Sequence, residues 1–597
     1  MQSAQTYLEI VRSRGERRLE LRRVYRNLQN KELFLRAYAK LYTNEGALTP
    51  GTDPTDTIDD MSLTRIDDII KSLAAGTYQW KPARRIYIPK KRGKLRPLGM
   101  PSWSDKLLQE VIRTVLAAYY EPQFSNASHG FRGGRGCHTA LQSILYHWKG
   151  TKWFIEGDIQ GCFDHIDHDK LLQIIRRSIR DERLLKLLSG MLEAGYMEDW
   201  HYHATYSGTP QGGIVSPILA NIVLNELDLY IEQELIPQYT RGETRRVNPE
   251  YSRLTRALQD AKAIKDIERY KMLLKERRSL PYGDPSDPDY QRLKYVRYAD
   301  DFLLGVVGTE SMAEEIRRKV GNFLSTLGLS MSEEKTLITH ATHGRARFLG
   351  YDVYMAHCDT RLCANRKGKR RSVNGSPMLS VPDEIVRTWT QRRTRNGKPY
   401  HRAELLNSSD YDIVVAYNLE FQGLVNYYTM AQDVAQKLYP VKFVYLQSLV
   451  KTLAAKHKQP VTEVYRKHYR KLDSGVKAIV VEAPREGQRT LIAKFGARPI
   501  RFDKTVVMED KKPVLLTQRN ELIKRLTAQQ CELCGSRENI KVHHIHKLKD
   551  LARRYAGHHY PPPWIRRMVE FRRKTLVVCA KCHQAIHAGT YDGPKLK

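Results

Sequence analysis

Two short apolar runs, Leu293 to Tyr298 and Phe302 to Val307, read as strands with only Ala299-Asp300-Asp301 between them, which predicts a hairpin with an acidic tip. A third strand-like run, Trp153 to Ile159, carries Asp158 near its end and passes into a helix near Asp167-His168-Asp169. Helical spacing dominates elsewhere. Residues 1 to about 75 are helical in pattern and close near Thr77-Tyr78-Gln79-Trp80, and an apolar helical run follows from Ile218 to Leu229. The charged stretch Arg241 to Asp289 has helical spacing over Leu254 to Leu280 and ends in the turn cluster Pro281-Tyr282-Gly283-Asp284-Pro285, so it reads as an inserted helical hairpin, either a solvated spacer or an RNA-binding arm. Asn407 to Arg470 reads as amphipathic helices, and 471–525 as a basic connector with short strands such as Lys477 to Val481.

Length and charge narrow the function. A chain of 597 residues exceeds what one core usually supports, so several domains are expected. The formal charge of +34 is far beyond what solubility needs and suits phosphate neutralisation with counterion release, which makes binding strongly salt-dependent. Some of the 34 tyrosines could stack on unpaired bases, although most belong to strands or cores. No apolar run reaches the length of a bilayer, and Met1 to Leu21 is charged and helical rather than a secretory signal, so a cytoplasmic (bacterial) or organellar location is expected, with no secretion and no membrane partner.

Basicity alone fits a ribosomal protein; the placed carboxylates argue for catalysis. On its own the Asp300-Asp301 pair reads as a solvated acidic turn, but with Asp158 as a third acid it suits two magnesium ions roughly 4 Å apart. Between these acids, Gly208-Thr209-Pro210-Gln211-Gly212-Gly213 lets backbone approach a ligand closely, or is an ordinary loop.

In order along the chain, Arg85 to Gly99, Ser128-His-Gly-Phe-Arg to Cys137, Asp158 to Asp164, the Gln211 segment, Tyr298-Ala-Asp-Asp301 and Phe348-Leu-Gly-Tyr351 resemble a reverse transcriptase, and more narrowly a group II intron-encoded protein. That resemblance implies that Asp158, Asp300 and Asp301 are the palm carboxylates and that Phe163 is the gate against a ribose 2′-hydroxyl. It also implies that Gln211 touches the incoming nucleotide and that Lys90 and Arg96 are candidates for its triphosphate. Lys335 falls where such polymerases carry a lysine near the leaving pyrophosphate, with a surface ion pair to Glu333 or Glu334 as the alternative. Phe421 to Tyr428 and Leu446 to Lys458 look like the maturase or thumb domain of this family, with Tyr427 and Tyr428 packed and Lys451, Lys456 and Lys458 on the wet face. The run Arg361 to Arg371 reads as a basic connector from palm to thumb.

The C-terminus carries a second chemistry. Cys531-Glu-Leu-Cys534 and Cys579-Ala-Lys-Cys582 present four thiolates, the ligand set of structural zinc, while Cys137, Cys162, Cys358 and Cys363 have no regular spacing. His583 and His587, spaced i, i+4, share a helical face, and His543-His544 lies between the cysteine pairs. This layout resembles an HNH endonuclease, which implies a divalent ion on His543, His583 and His587 and His544 as general base. Where many such motifs carry an asparagine, this chain has Thr575; a zinc-stapled DNA-binding module is the non-catalytic alternative, and His546, His558 and His559 read as surface residues.

The expected fold is a multidomain α/β protein. It comprises an N-terminal extension (1–75), right-hand polymerase fingers and palm (76–360, hairpin inserted at about 241–289), a helical thumb/maturase domain (361–470), a basic DNA-binding region (471–525) and a small zinc-bound HNH domain of ββα-metal type (526–597). The expected activities are RNA-directed DNA synthesis from dNTPs, assistance to splicing of a group II intron RNA, and cleavage of target DNA. The alternatives are a retroelement or defence polymerase with no splicing role, and a non-catalytic RNA chaperone.

Overall fold

The three runs that read as strands pair into one antiparallel sheet with a fourth strand that the sequence reading did not include, in the order Arg292–Tyr298, Asp301–Val307, Trp153–Asp158, Ile338–His340. A computed structural model places this sheet at the centre of the molecule; it describes residues 2–89, 95–198, 201–205, 207–208, 212–358, 363–365, 368–370, 373–485, 488–506, 521–545, 562–570 and 573–591. Asp301–Val307 is a nearly continuous apolar run because both its faces are covered, whereas Arg292–Tyr298 carries Arg292, Lys294 and Arg297 among its apolar residues. Successive residues point to opposite sides, so Ile155 and Leu304 enter one core while Phe154 and Leu303 enter another.

The first core joins the sheet to the helices Ser216–Tyr230, Glu310–Thr326 and Trp103–Tyr120, and to the N-terminal helices Ala4–Glu16, Lys31–Leu41 and Leu63–Ala75. The last of these starts at Ser62, whose hydroxyl accepts from the Arg65 amide, and stops at Gly76, which takes φ +71°, the left-handed position glycine occupies without a Cβ clash. Between the second and third N-terminal helices, residues 42–62 form no α-helix, contrary to the helical pattern expected there. The same core continues into the C-terminal strands Ile540–His544 and Thr575–Cys579 and the helix Ala580–Ala588, so both ends of the chain share one apolar interior.

The second core holds the helices Asp410–Tyr428 and Val434–His457 and the sheet of Tyr469–Lys471, Lys477–Arg485 and Gln488–Phe495, with Ile479, Val481 and Phe495 buried beside Phe421. Over its described residues up to 506, the basic stretch after 470 forms paired strands, because alternate apolar residues give them a face to bury; 507–520 lie outside the described residues. Two lysines also depart from expectation: Lys456 is bound to Asp410 at 2.6 Å and Lys451 donates to the Pro399 carbonyl at 2.7 Å, leaving Lys458 as the exposed member of the three. Tyr428 is buried as expected, and Tyr427 and Tyr428 donate to the carbonyls of Leu349 and Gly350 in the turn of the Phe348-Leu-Gly-Tyr segment. The inserted hairpin consists of Pro249–Ala263 and Ile267–Ser279, capped by Asn248 and Asp266. Within the run 361–371, expected as a connector, the described residues Cys363–Asn365 and Gly368–Arg370 pair as two antiparallel strands; 361–362, 366–367 and 371 lie outside the described residues.

Candidate active sites

Strand register brings the three acids together. Asp158 stands directly opposite Asp301 in the central sheet, and Asp300 occupies the adjoining turn, where its carbonyl accepts from the Ile159 amide. They line a cleft of about 1020 Å³ with Arg96, Phe163 and Lys335. Lys335 does not pair with its neighbours Glu333 or Glu334; its ammonium is 2.7 Å from Asp158. Phe163 meets Phe131 edge to face at 6.0 Å between ring centres. Burial pushes the Asp301 carboxyl up to about 7, and the Asp300 charge and the hydrogen-bonded Asp158 add to the rise; burial first and the Asp158 charge next also raise Asp300. Carboxylates this close and this dry need cations to stay ionised together, and three oxygen donors with no imidazole or thiolate suit magnesium. Gln211 and Lys90 lie outside the described residues, as do His546, His558 and His559.

A raised carboxyl opposes folding as pH rises. The Asp301 penalty is absent below its unfolded value of about 4, grows up to the folded value of about 7 and is constant above it. Asp301→Asn is therefore expected to raise the Tm of metal-free protein, with a gain that widens between those limits. Thermal scans at several pH values in chelator check this, and an unchanged or lowered Tm at pH 8 would sink it.

The acidic turn rests on a brace that sequence reading missed. Arg297 and Asp228 form an ion pair at 2.5 Å with both side chains fully buried. The guanidinium also donates to the Ser128 hydroxyl at 2.8 Å, the Asn221 side chain at 3.2 Å and the Ala299 carbonyl at 2.9 Å, and so holds the residue that takes φ +56° just before the acids. This accounts for the Ser128-His-Gly segment. It runs beside the strand of Arg297, with the His129 amide on the Arg297 carbonyl, and at Gly130 a Cβ would lie 2.4 Å from the Ala299 nitrogen. The signal available was an arginine inside an apolar strand, which demands a buried partner.

At the C-terminus, Ile540–His544 pairs antiparallel with Thr575–Cys579 and the helix Ala580–Ala588 follows, a ββα unit. The four cysteine sulfurs gather within 4.8 Å of one another, and Cys534 and Cys579 lie 3.6 Å apart. That is far longer than a disulfide and close to the edge of about 3.8 Å in a tetrahedron with zinc–sulfur bonds of 2.3 Å. Burial raises the Cys582 thiol and the neighbouring sulfurs raise it further, so four thiolates here depend on a cation. If the four sulfurs hold zinc, replacing Cys531 with serine is expected to abolish zinc binding and to expose the C-terminal unit to protease. Metal analysis with limited proteolysis reads this, and a zinc-free but protease-resistant unit would refute it.

His543, His583 and His587 converge separately, with ring centres 5.4, 5.0 and 4.6 Å apart. Burial lowers His543 to about 4 and His544 to about 3, which keeps both neutral at pH 7, the form that binds metal or accepts a proton. The Nδ1 of His543 is buried with no hydrogen-bond partner, as expected of a nitrogen reserved for an ion. Thr575 faces His544 across the strand pair, but its hydroxyl accepts from Arg525 at 3.0 Å. The expected base, His544, shares a buried hydrogen bond of 2.9 Å between its Nε2 and the Tyr38 hydroxyl. Sequence reading also missed Asp59, whose oxygens lie 3.2 Å from His583 and 2.8 Å from His587.

Sequence models of three protein families match the chain: reverse transcriptase (RNA-dependent DNA polymerase) over 88–353, type II intron maturase over 383–528, and HNH endonuclease of the AI2M/AI1M-like kind over 531–583. The group II intron-encoded protein LtrA of Lactococcus lactis subsp. cremoris is 40% identical over 94% of this chain and 95% of its own. An uncharacterized 91 kDa protein in the cob intron of Schizosaccharomyces pombe is 34% identical over 95% of this chain and 70% of its own. The protein YkfC of Escherichia coli is 31% identical over 63% of this chain and 91% of its own.

Proposed function

The chain belongs to the family of group II intron-encoded proteins, and from that membership we propose how its sites divide the work. It is an RNA-directed DNA polymerase joined to an intron maturase and an HNH endonuclease, acting in group II intron mobility with divalent metal, intron RNA and other nucleic acid as partners. In our reading, Asp158, Asp300 and Asp301 hold two magnesium ions at the primer end. When bound, those ions activate the attacking 3′ oxygen and neutralise the leaving one. Arg96 presents a guanidinium to the triphosphate of the incoming dNTP and Lys335 moves from Asp158 to the leaving pyrophosphate, while the Phe163 ring closes the space a 2′-hydroxyl would need. The roles of Gln211 and Lys90 rest on the resemblance of their segments. The observation that carries this reading is the register of Asp158 against Asp301 beside Asp300 in a cleft that also contains Lys335.

At the other end, the four cysteines hold zinc, and a divalent ion sits on His543, His583 and His587 next to His544 as base. The ribonucleoprotein inserts intron RNA into one target strand, the HNH unit cuts the other, and the new 3′ end primes copying. No described helix is long and apolar enough to cross a membrane, and the proposed workplace is a bacterial cytoplasm or an organelle. Primer extension on an RNA template tests the polymerase. For the endonuclease, His544→Ala is expected to lower target-strand cleavage by roughly 100-fold or more, the scale of a lost general base. Cleavage at the wild-type rate would remove His544 from that role.

A further inference from the structure

The histidine centre contains a residue from the opposite end of the chain. Residues 58–61 lie against the edge of the C-terminal strand pair: the Asp60 amide donates to the Val542 carbonyl at 3.1 Å and the Val542 amide to the Met61 carbonyl at 2.9 Å, a strand-like addition to a sheet edge. Ile58 and Met61 on either side are fully buried, and Lys541 is paired with Asp60 at 2.6 Å. This anchoring delivers the Asp59 carboxylate into the histidine cluster, where the His544 backbone amide fixes it through a 2.8 Å hydrogen bond.

We propose that Asp59 is a fourth protein ligand of the ion held by His543, His583 and His587, so that the N-terminal extension completes the C-terminal metal centre. The proposal rests on the reading of those histidines as a metal site. The donor atoms of all four residues fall within 4.8 Å of one another. A tetrahedral ion with bonds of about 2.05 Å sets its ligands about 3.3 Å apart. The Asp59 Oδ1 lies 3.2 Å from His583 and 3.7 Å from His543, on either side of that spacing, and its Oδ2 lies 2.8 Å from His587. The buried Nδ1 of His543, 3.7 Å from Asp59, makes no hydrogen bond and is left to take a ligand at the same place.

A centre closed by four protein groups is the arrangement of structural zinc, whereas a catalytic ion keeps a position for water or substrate. With Asp59 and the three histidines all bound, an ion here would have no open position, and the Tyr38 hydroxyl hydrogen-bonds the expected base at the same time. A DNA phosphate must displace Asp59 or join as a fifth ligand, and His587, at 52% side-chain exposure, is the member of the set open to it.

Cobalt(II) titration of the full chain, with zinc retained on the cysteines, reads the site through its visible absorption without recourse to cleavage. Asp59→Asn keeps an oxygen for the His544 amide but is a poor ligand, and it is expected to lower cobalt affinity by roughly tenfold or more. Asp59→Glu, which keeps the carboxylate, is expected to retain most of that affinity. Equal losses in both variants, or no loss in the first, would overturn the proposal. His583→Ala separates this from the underlying reading: cobalt binding undiminished there would mean that the histidine cluster is not a metal site at all.

Discussion

Replacing Asp300 with alanine is expected to lower primer extension on an RNA template by about a thousandfold or more, and Asp158→Ala should do the same. The scale follows from what each carboxylate supplies: loss of one preorganised charge-stabilising group in a dry site costs on the order of a hundred- to a thousandfold, and a shared metal ligand takes part of two ions with it. Asp158 and Asp301 stand opposite each other in strand register with Asp300 in the adjoining turn, so each loss leaves a gap in one shared donor set. Binding to RNA should stay within a few-fold of wild type, because the net charge of +34 changes by a single unit. Single-turnover extension and filter binding, measured together, decide the matter: extension within tenfold of wild type in either variant would remove the three acids from catalysis.

The second large effect is on stability. Asp228→Ala is expected to cost about 3–5 kcal/mol, since it strands the Arg297 guanidinium without a counterion in a fully buried place. Total stability is of order 5–15 kcal/mol, so this loss is a substantial share of it. Because the Arg297 guanidinium also holds the Ala299 carbonyl, polymerisation should fall with stability rather than independently of it. The double change Arg297→Met with Asp228→Leu removes both charges and should destabilise much less, because replacing a whole buried pair by apolar groups is often neutral. Denaturant midpoints of the two variants test this: a double variant as unstable as the single one would show that the brace acts by shape and not by paired charge.

The three acids of the cleft were legible because sheet register is a local property: an acid at a strand end and an acid pair at a hairpin tip need only one antiparallel pairing to meet, and apolar runs advertise that pairing. The cysteine cluster was legible for a related reason, since each pair sits within one turn of backbone and thiolates have few other uses in such spacing. Arg297 hid inside an apolar strand whose charge sequence reading had no partner for, because Asp228 lies in a helix 69 positions away. Asp59 and Tyr38 were invisible in the same way. Nothing near Asp59 marks it as a ligand, and its segment lacks helical geometry because its backbone hydrogen bonds go to Val542 instead of to its own turn. The two lysines misassigned to the solvent face were read from helix periodicity alone, which cannot see that Asp410 and the Pro399 carbonyl cross over that face.

Tyr38 and His544 are separated by 506 positions. At translation rates of about 5–20 residues per second, the first of them leaves the ribosome roughly 25 to 100 s before the second exists. During that interval the backbone groups of Asp60 and Met61 that pair with Val542 wait without those partners, so nascent chains should be most vulnerable to chaperone capture and to aggregation while the middle of the protein is still being made.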